Sequence, residues 1–196
     1  MRIVLSLVLL LATAAGASAT PISYTDTGFG SGTLNGVAFG GAAPLAFTIT
    51  ALGDTANRLS CGGACLSNDN TSASITITGL GTFAFVTPTR FFANVGIVGF
   101  SRAGVGGADL FDGPNIPAWD MLTSLGPIAG TGTLLQWGNA PVVTSGGTLV
   151  FNNGSSAATF TATVGPQSTV PEPATLLLLG SGLAATRLRQ RFKKRA

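Results

Sequence analysis

The amino-acid sequence predicts an all-β protein, an antiparallel β-sandwich in which a jelly-roll arrangement is one option. Apolar residues alternate with Thr or Ser in several short runs. Alternation with a period of two is typical of strands that have one buried and one wet face. Glycine-rich turn signals separate these runs, and many short strands joined by such turns favour two packed antiparallel sheets. A single sheet would leave the Phe side chains of these strands exposed to water.

The first 19 residues have the three parts of a secretory signal peptide. Arg2 supplies the positive charge, residues 3–11 form an apolar run, and Ala17-Ser18-Ala19 matches the A-x-A cleavage pattern. An uncleaved membrane anchor is the alternative, but the small residues just before Ala17 favour cleavage after Ala19. We therefore expect signal peptidase to release an exported domain that spans residues 20–168.

Short strands and turns alternate through this domain. Alternation is clearest at 45–51, 74–78 and 159–164, and Asn153-Gly154 is a hairpin signal between two such runs. The predicted strands lie near residues 22–27, 32–39, 45–52, 72–78, 80–87, 90–100, 131–137, 141–151 and 157–164.

Residues 116–125 form the exception to the period of two. Pro117 stands early, Trp119, Leu122 and Leu125 are spaced as one apolar face, and a glycine follows. This pattern predicts a short helix that crosses one end of the sandwich.

The two cysteines, Cys61 and Cys65, are separated by three residues that include two glycines. Export places them in an oxidising compartment, so we expect a structural disulfide that closes a tight loop. A zinc site is the weaker interpretation, because two thiols without a nearby His are half of one. The spacing also departs from the C-x-x-C pattern of redox proteins.

Three aspartates and a tryptophan form the best candidate binding cluster. Asp109, Asp112 and Asp120 lie within 12 residues, with Trp119 beside the last. Carboxylate oxygens suit Ca²⁺, and an indole ring could stack on a sugar. The alternative is local turn chemistry, because Asp followed by Gly and Pro favours a turn and Asp also caps helices.

Composition argues against most enzyme classes. The sequence has no His, and residues 20–168 contain neither Glu nor Lys. A Ser-His-Asp triad and an imidazole metal site therefore cannot form, and Asp is the only ordinary acid or base. A hydrolase that uses an Asp pair is the remaining enzymatic hypothesis; we expect a protein that is not an enzyme and has no cofactor other than the Ca²⁺ considered above.

The net charge of +3 belongs to the two ends of the chain. Seven of the ten basic residues lie there, whereas residues 20–170 hold three Arg and six Asp. The exported domain is therefore weakly acidic, and nothing in it favours nucleic acid as a partner.

The C-terminal end combines three features in a fixed order. Val170-Pro171-Glu172-Pro173 precedes a transmembrane helix predicted at 174–186, and a basic tail follows at 187–196. The apolar run of 12 residues from Ala174 spans about 18 Å as a helix, against a hydrocarbon core of about 30 Å. A short anchor with its basic end in the cytoplasm favours a transient over a permanent attachment. The basic residues of the tail are Arg187, Arg189, Arg191, Lys193, Lys194 and Arg195.

These three features resemble the PEP-CTERM sorting signal of Gram-negative bacteria. The resemblance covers about the last 27 residues, and it places the motif on Pro171, Glu172 and Pro173. It implies that a membrane-embedded exosortase recognises these residues as substrate and removes the helix. The body would then reach the cell surface or an exopolysaccharide matrix. We expect an exported, non-enzymatic surface or matrix protein; a carbohydrate-binding module, calcium-dependent in one version, is the alternative.

Overall fold

The described chain is almost entirely β-structure. The computed structural model describes residues 20–104 and 107–166, and strands make up 63% of them. A single 3-10 turn occurs in these residues at Thr55–Asn57. The strands are β1 (Pro21–Leu34), β2 (Val37–Phe39), β3 (Leu45–Asp54), β4 (Arg58–Gly62), β5 (Cys65–Asp69), β6 (Ser72–Ile77), β7 (Gly81–Ala84), β8 (Thr89–Asn94), β9 (Ile97–Arg102), β10 (Asp109–Asn115), β11 (Leu125–Gly130), β12 (Thr133–Leu134), β13 (Val142–Thr144), β14 (Gly147–Asn153) and β15 (Ala158–Val164).

Strand β1 organises the larger of two sheets. The main path of this sheet is β11-β15-β1-β3-β6-β7, while β2 and β14 also pair with β1 and β13 pairs with β14. The smaller sheet has the order β12-β10-β9-β8-β5-β4, in which β8, β9 and β10 follow one another as a meander. The strand pairs described are antiparallel, as short turns require. The predicted antiparallel sandwich is confirmed.

Aromatic side chains from both sheets meet in one core. Tyr24 of the larger sheet stacks on Phe91 of the smaller one with ring centroids 4.7 Å apart, and Phe47 meets Phe111 edge to face at 5.3 Å. Full burial of such a side chain stabilises the fold by about 1.5–3 kcal/mol. The indole of Trp137 is also fully buried, and its N–H donates to the Leu110 carbonyl. The Phe-rich composition therefore does what the sequence predicted, which is to hold two layers together.

A hairpin turn at Ser145-Gly146 divides the predicted strand 141–151 into β13 and β14. Two further predicted strands are interrupted by hairpin turns of another kind. The run 32–39 divides at Asn35-Gly36 into β1 and β2, and the run 90–100 divides at Val95-Gly96 into β8 and β9. Both residues of each turn have positive φ, between 44° and 82°. Two successive residues of this kind match the type I′ turn that joins twisted antiparallel strands. Asn-Gly is a strong signal of this turn, whereas Val-Gly is not.

The predicted hairpin at Asn153-Gly154 is wrong. Strands β14 and β15 do not pair with each other; both pair with the same edge of β1. Asn153 lies opposite Ser31, and Thr159 lies opposite Thr27, so the chain continues along β1 after a short outward loop. The Ser155 hydroxyl accepts from the Phe29 backbone N–H at 3.4 Å across this loop. The Asn-Gly pair marks an interruption of one long edge rather than a reversal.

The predicted helix at 116–125 is also wrong, because this segment is irregular up to β11. The Asp120 carboxylate accepts from the backbone N–H of Leu122 at 2.9 Å, and the Trp119 indole donates to the Thr123 carbonyl at 2.9 Å. Met121 is buried with φ of 59°, which a helix excludes. Side-chain bonds to nearby backbone compete with helix formation, and here they replace it.

The structure contains strands that the sequence did not predict. Strands β4 and β5 form a hairpin around the cysteine loop, and β10 and β11 flank the irregular segment. β10 holds Asp112-Gly113-Pro114, which the sequence favoured as a turn. Its partner β12 is opposite only Phe111 and Asp112, so Pro114 lies where β10 has a free edge. A proline is tolerated at such a position because no ladder hydrogen bond is lost.

The strands predicted at 45–52, 72–78 and 157–164 are confirmed as β3, β6 and β15, with ends that differ by up to two residues. The signal peptide at 1–19 and the segment at 169–196, including its predicted transmembrane helix, lie outside the described residues. Within 20–104 and 107–166, no helix is long and apolar enough to cross a membrane.

Candidate functional site

The predicted sorting and cleavage residues lie outside the part of the chain that the structure describes. They are Ala17, Ala19, Val170, Pro171, Glu172, Pro173, Arg187, Arg189, Arg191, Lys193, Lys194 and Arg195. The remaining predicted site residues all fall within it.

The predicted disulfide between Cys61 and Cys65 is present. The two Cα atoms are 5.1 Å apart, across the tip of the β4–β5 hairpin. Gly62 and Gly63 complete the loop with φ of 107° and 57°, which glycine adopts without steric cost. All five residues of β4 are exposed, so the bond fixes a projecting hairpin rather than the core.

Asp109 and Asp112 lie on the same strand, β10. Asp109 is opposite Ser101 of β9, which in turn is opposite Arg90 of β8. The Arg90 guanidinium donates to the Ser101 hydroxyl at 3.1 Å. Phe91, the next residue of β8, packs in the core, so this row of polar side chains lies on the opposite face of the smaller sheet.

Burial and charge both act on this pair of carboxyl groups. Partial burial raises the pKa of Asp109, and the positive charge of Arg90 partly offsets the effect. Partial burial also raises the pKa of Asp112, and the negative charge of Asp109 raises it further. The two carboxylates therefore repel each other, and a nearby positive charge such as that of Arg90 lessens the repulsion.

Asp120 and Trp119 have other contacts. The Asp120 carboxylate accepts hydrogen bonds within its own turn, and its backbone carbonyl accepts from Arg58 of β4 at 2.9 Å. The Trp119 ring packs edge to face on Tyr24 and on Phe160, with centroids 6.4 and 5.7 Å away. The predicted cluster is thus divided: β10 brings Asp109 and Asp112 together, while Asp120 and Trp119 belong to the irregular segment.

The described residues contain no group of three or more His, Cys, Asp or Glu side chains that could hold a metal ion. The three-aspartate calcium site proposed from spacing is therefore not assembled among them. A cation at β10 would find the Asp109–Asp112 pair, beside the positive charge of Arg90.

A buried carboxyl group is the main polar feature that the sequence interpretation missed. Asp26 of β1 is fully buried, and neither of its carboxyl oxygens has a hydrogen-bond partner. A Cβ added at Gly113 would lie 2.8 Å from one of these oxygens, so β10 approaches Asp26 closely. Burial raises the pKa of Asp26 well above its ordinary value. The alternation of Ile22, Tyr24 and Asp26 was the signal that placed it inside.

Two further polar groups lie in the same core. The hydroxyl of Tyr24 and the side-chain oxygen of Asn68 are buried without a partner, although the Asn68 amide donates to the Asp54 carbonyl at 2.8 Å. Burial raises the pKa of Tyr24, so its hydroxyl stays protonated.

The outward face of the larger sheet carries a regular array of hydroxyl groups. Four neighbouring strands, β15, β1, β3 and β6, place their outward residues in three cross-strand rows, and eleven of these twelve positions are Thr or Ser. Leu52 is the exception, and Thr82 of β7 extends one row to five threonines. We call this array the threonine face; its hydroxyl residues are Ser23, Thr25, Thr27, Thr48, Thr50, Ser72, Ser74, Thr76, Thr82, Thr159, Thr161 and Thr163.

Comparison with known families gives one match, at the C-terminal end. Residues 169–191 match the family model of the PEP-CTERM protein-sorting motif. The chain carries a PEP-CTERM sorting motif. The resemblance drawn from Val170-Pro171-Glu172-Pro173, the short helix and the basic tail is confirmed. No curated protein and no solved structure matches the chain.

The PEP-CTERM motif supports an exported protein that undergoes membrane-associated sorting to the cell surface and processing by an exosortase. Because the match begins at residue 169, it identifies the signal and carries no information on the role of the β-sandwich before it.

Proposed function

We propose that this chain is a non-enzymatic protein of the cell surface or extracellular matrix of a Gram-negative bacterium. The observation that carries the proposal is the PEP-CTERM motif at 169–191, which directly follows a folded β-sandwich. In this proposal signal peptidase removes residues 1–19 after export. The C-terminal helix then holds the body at the membrane until an exosortase removes it.

The chemistry of the described sandwich supports a role without catalysis. It has no His, Glu or Lys, and five of its six carboxyl groups are buried, held in turns or paired with each other, while the sixth, Asp69, is exposed. A general base must be able to reach a substrate proton. Asp26 cannot, because it is fully buried.

Glu172→Ala tests the sorting part of the proposal. The substitution removes the only charge of the Val170–Pro173 motif, so we expect the precursor to remain in the inner membrane. In the unchanged protein a shortened form should appear at the surface or in the medium. The measurement is fractionation of the producing cells with immunoblotting against the β-sandwich. Gln167→Ala, outside the matched residues, is the control and should be processed normally.

Two results would contradict the proposal. One is normal release of the Glu172→Ala protein. The other is a wild-type protein that persists uncut in the inner membrane of cells that process other proteins with this motif.

A carbohydrate-binding module is the second candidate function. We place its binding surface elsewhere than in the predicted cluster of Asp109, Asp112, Trp119 and Asp120. Trp119 is engaged with Tyr24, Phe160 and the Thr123 carbonyl, so its ring is not a free platform for a sugar. Asp120 is separate from Asp109 and Asp112. The observation that favours a carbohydrate role is instead the threonine face.

A further inference from the structure

The threonine face carries no charged side chain at any position of its three rows. Exposed sheet faces usually present Lys, Arg, Glu or Asp among their outward residues. A surface without them has no long-range attraction for nucleic acid, anionic polymers or metal ions. We therefore expect any partner of this face to be uncharged itself.

The face presents the hydroxyl groups of Thr and Ser together with the methyl groups of Thr. Each Thr hydroxyl donates one hydrogen bond and accepts two, and each Thr methyl adds an apolar contact. Neighbouring hydroxyls also orient each other: Thr50 and Ser74 are 2.9 Å apart, and Thr76 and Thr82 are 2.8 Å apart. A neutral polysaccharide offers the complementary groups, because its sugar rings combine hydroxyls with apolar C–H surfaces.

The spacing of the rows suits an extended chain of sugars. Strands lie about 4.8 Å apart, so the row of five threonines from Thr159 to Thr82 extends over about 19 Å. A sugar ring in an extended polysaccharide advances by a length similar to one strand separation. A chain laid across the strands would thus meet one hydroxyl residue per ring.

Sheet twist decides between a polymer and a flat lattice such as ice. Adjacent strands rotate by about 20–25° on average, so a row across five strands turns steadily. A rigid crystal plane would lose register after two or three strands, whereas a flexible polymer can follow the turn. The usual twist of a β-sheet therefore favours a polymer.

We propose that the threonine face binds a neutral polysaccharide chain that runs across strands β15, β1, β3, β6 and β7. The proposal rests on the proposed surface or matrix role in one respect, which is that this role brings the protein into contact with polysaccharide. It assigns the contact to hydroxyl groups of the larger sheet, on the side away from the core.

A triple valine substitution tests the contact. Thr25→Val, Thr48→Val and Thr76→Val remove one hydroxyl from each of three central strands while keeping side-chain shape and strand propensity. The full-length protein, purified in non-ionic detergent, is run through native gels that contain hydroxyethylcellulose, galactomannan or dextran. We expect at least one of these polymers to retard the wild type, with an apparent Kd about tenfold weaker in the valine variant.

Matched variants separate the contact from effects on folding. Thr133→Val with Thr148→Val changes exposed threonines outside the face and should bind normally. Thr→Ser at positions 25, 48 and 76 keeps the hydroxyls and should retain most of the affinity. Retardation should also be unchanged between low and high salt, because no ion pairs are involved. Circular dichroism of each variant shows whether it is folded.

The proposal is overturned if no neutral polymer retards the wild type or if the valine variant binds as well as the wild type. It is also overturned if a further gel, which contains the acidic polymer alginate, is the only one that retards the protein. Inhibition of ice-crystal growth without retardation by any polymer would assign the face to ice instead. Because the gels use purified protein, these outcomes are independent of sorting: a failed contact with normal processing leaves the PEP-CTERM role intact.

Discussion

A carboxyl group in the core should make the stability of this protein depend on pH. Asp26 is fully buried without hydrogen bonds to its oxygens, and burial raises its pKa well above the ordinary value. The folded state therefore holds the proton more tightly than the unfolded chain does. Consequently, the contribution of Asp26 to the free energy of unfolding falls as pH rises from about 4 through its raised pKa.

Asp26→Asn should remove this dependence. Within that window, we expect the free energy of unfolding of the variant to rise relative to that of the wild type by about 1.4 kcal/mol for each pH unit. The variant should therefore be more stable than the wild type at neutral pH. Below about pH 4 both carry a neutral side chain and the difference should be small. Chemical denaturation across pH measures it. Asp69→Asn, at an exposed residue, is the control; an equal gain there would contradict the role of burial.

Backbone strain at Val95 offers a second test at the scale of one residue. Val95 has φ of 44° in the β8–β9 turn, and its side chain is 81% exposed. A β-branched residue in this conformation costs about 1–2 kcal/mol, and no burial offsets the cost.

Val95→Asn should therefore raise the free energy of unfolding by about 1 kcal/mol, because Asn tolerates positive φ and forms the preferred Asn-Gly turn. Thermal unfolding measures the gain. Val37→Asn, at a 71% exposed position within strand β2, should give no gain. A similar rise in both variants would mean that lost surface hydrophobicity, not backbone strain, is responsible.

At the scale of elements, close approach of strands matters most along β1. Two strands, β14 and β15, use the same edge of β1 in succession. The register shifts between Ser31 and Gly32, where β14 packs onto β1. A Cβ at Gly32 would overlap the carbonyl oxygen of Val150, which is backbone and cannot move aside.

Gly32→Ala should accordingly destabilise the fold by about 1–3 kcal/mol, the range for overpacked sites. The midpoint of urea unfolding reports the loss. Gly138→Ala is the matched control, because no heavy atom lies within 4 Å of a Cβ added there. If both variants unfold at the same midpoint, close packing at Gly32 is not the cause.

The strands that were predicted correctly share one property. In β3, β6 and β15 the alternation is strict, so the pattern alone places Ile49, Ile75 and Phe160 inside. Strands β4, β10 and β11 lack this alternation, because two are largely exposed and β10 buries adjacent residues at an irregular register. Strand β11 depends on pairing with the distant β15, which a local pattern does not record. Strands β4 and β10 pair with their sequence neighbours β5 and β9, so for these two only the missing alternation hides the strand.

At the scale of the whole molecule, the fold separates residues that are close in sequence. Asp120 lies eight positions after Asp112, yet its turn is bound to Arg58 of β4, at the opposite edge of the smaller sheet from β10 and β12. Spacing along the sequence predicted one cluster of three aspartates, whereas the fold places Asp120 apart from Asp109 and Asp112.

Calcium should therefore have little effect on stability. A specific ion that binds the folded state raises the unfolding temperature. At a concentration one hundred times its Kd, it adds about 2.7 kcal/mol to the free energy of unfolding. We expect thermal unfolding of the full-length protein to be the same with calcium and with chelator. A rise that disappears in Asp112→Asn would show that the Asp109–Asp112 pair binds calcium after all.

The sequence by itself determined the all-β class, the disulfide and the PEP-CTERM motif. Each is encoded by local order: a period of two, two nearby cysteines in a glycine-rich loop, and three elements in series. Only the tertiary structure decided that Asp26 is buried, that the aspartate cluster is divided and that the threonine face forms. The physical reason is that burial and row formation depend on which strands become neighbours. Neighbouring strands β1 and β15 are more than 120 residues apart in the chain.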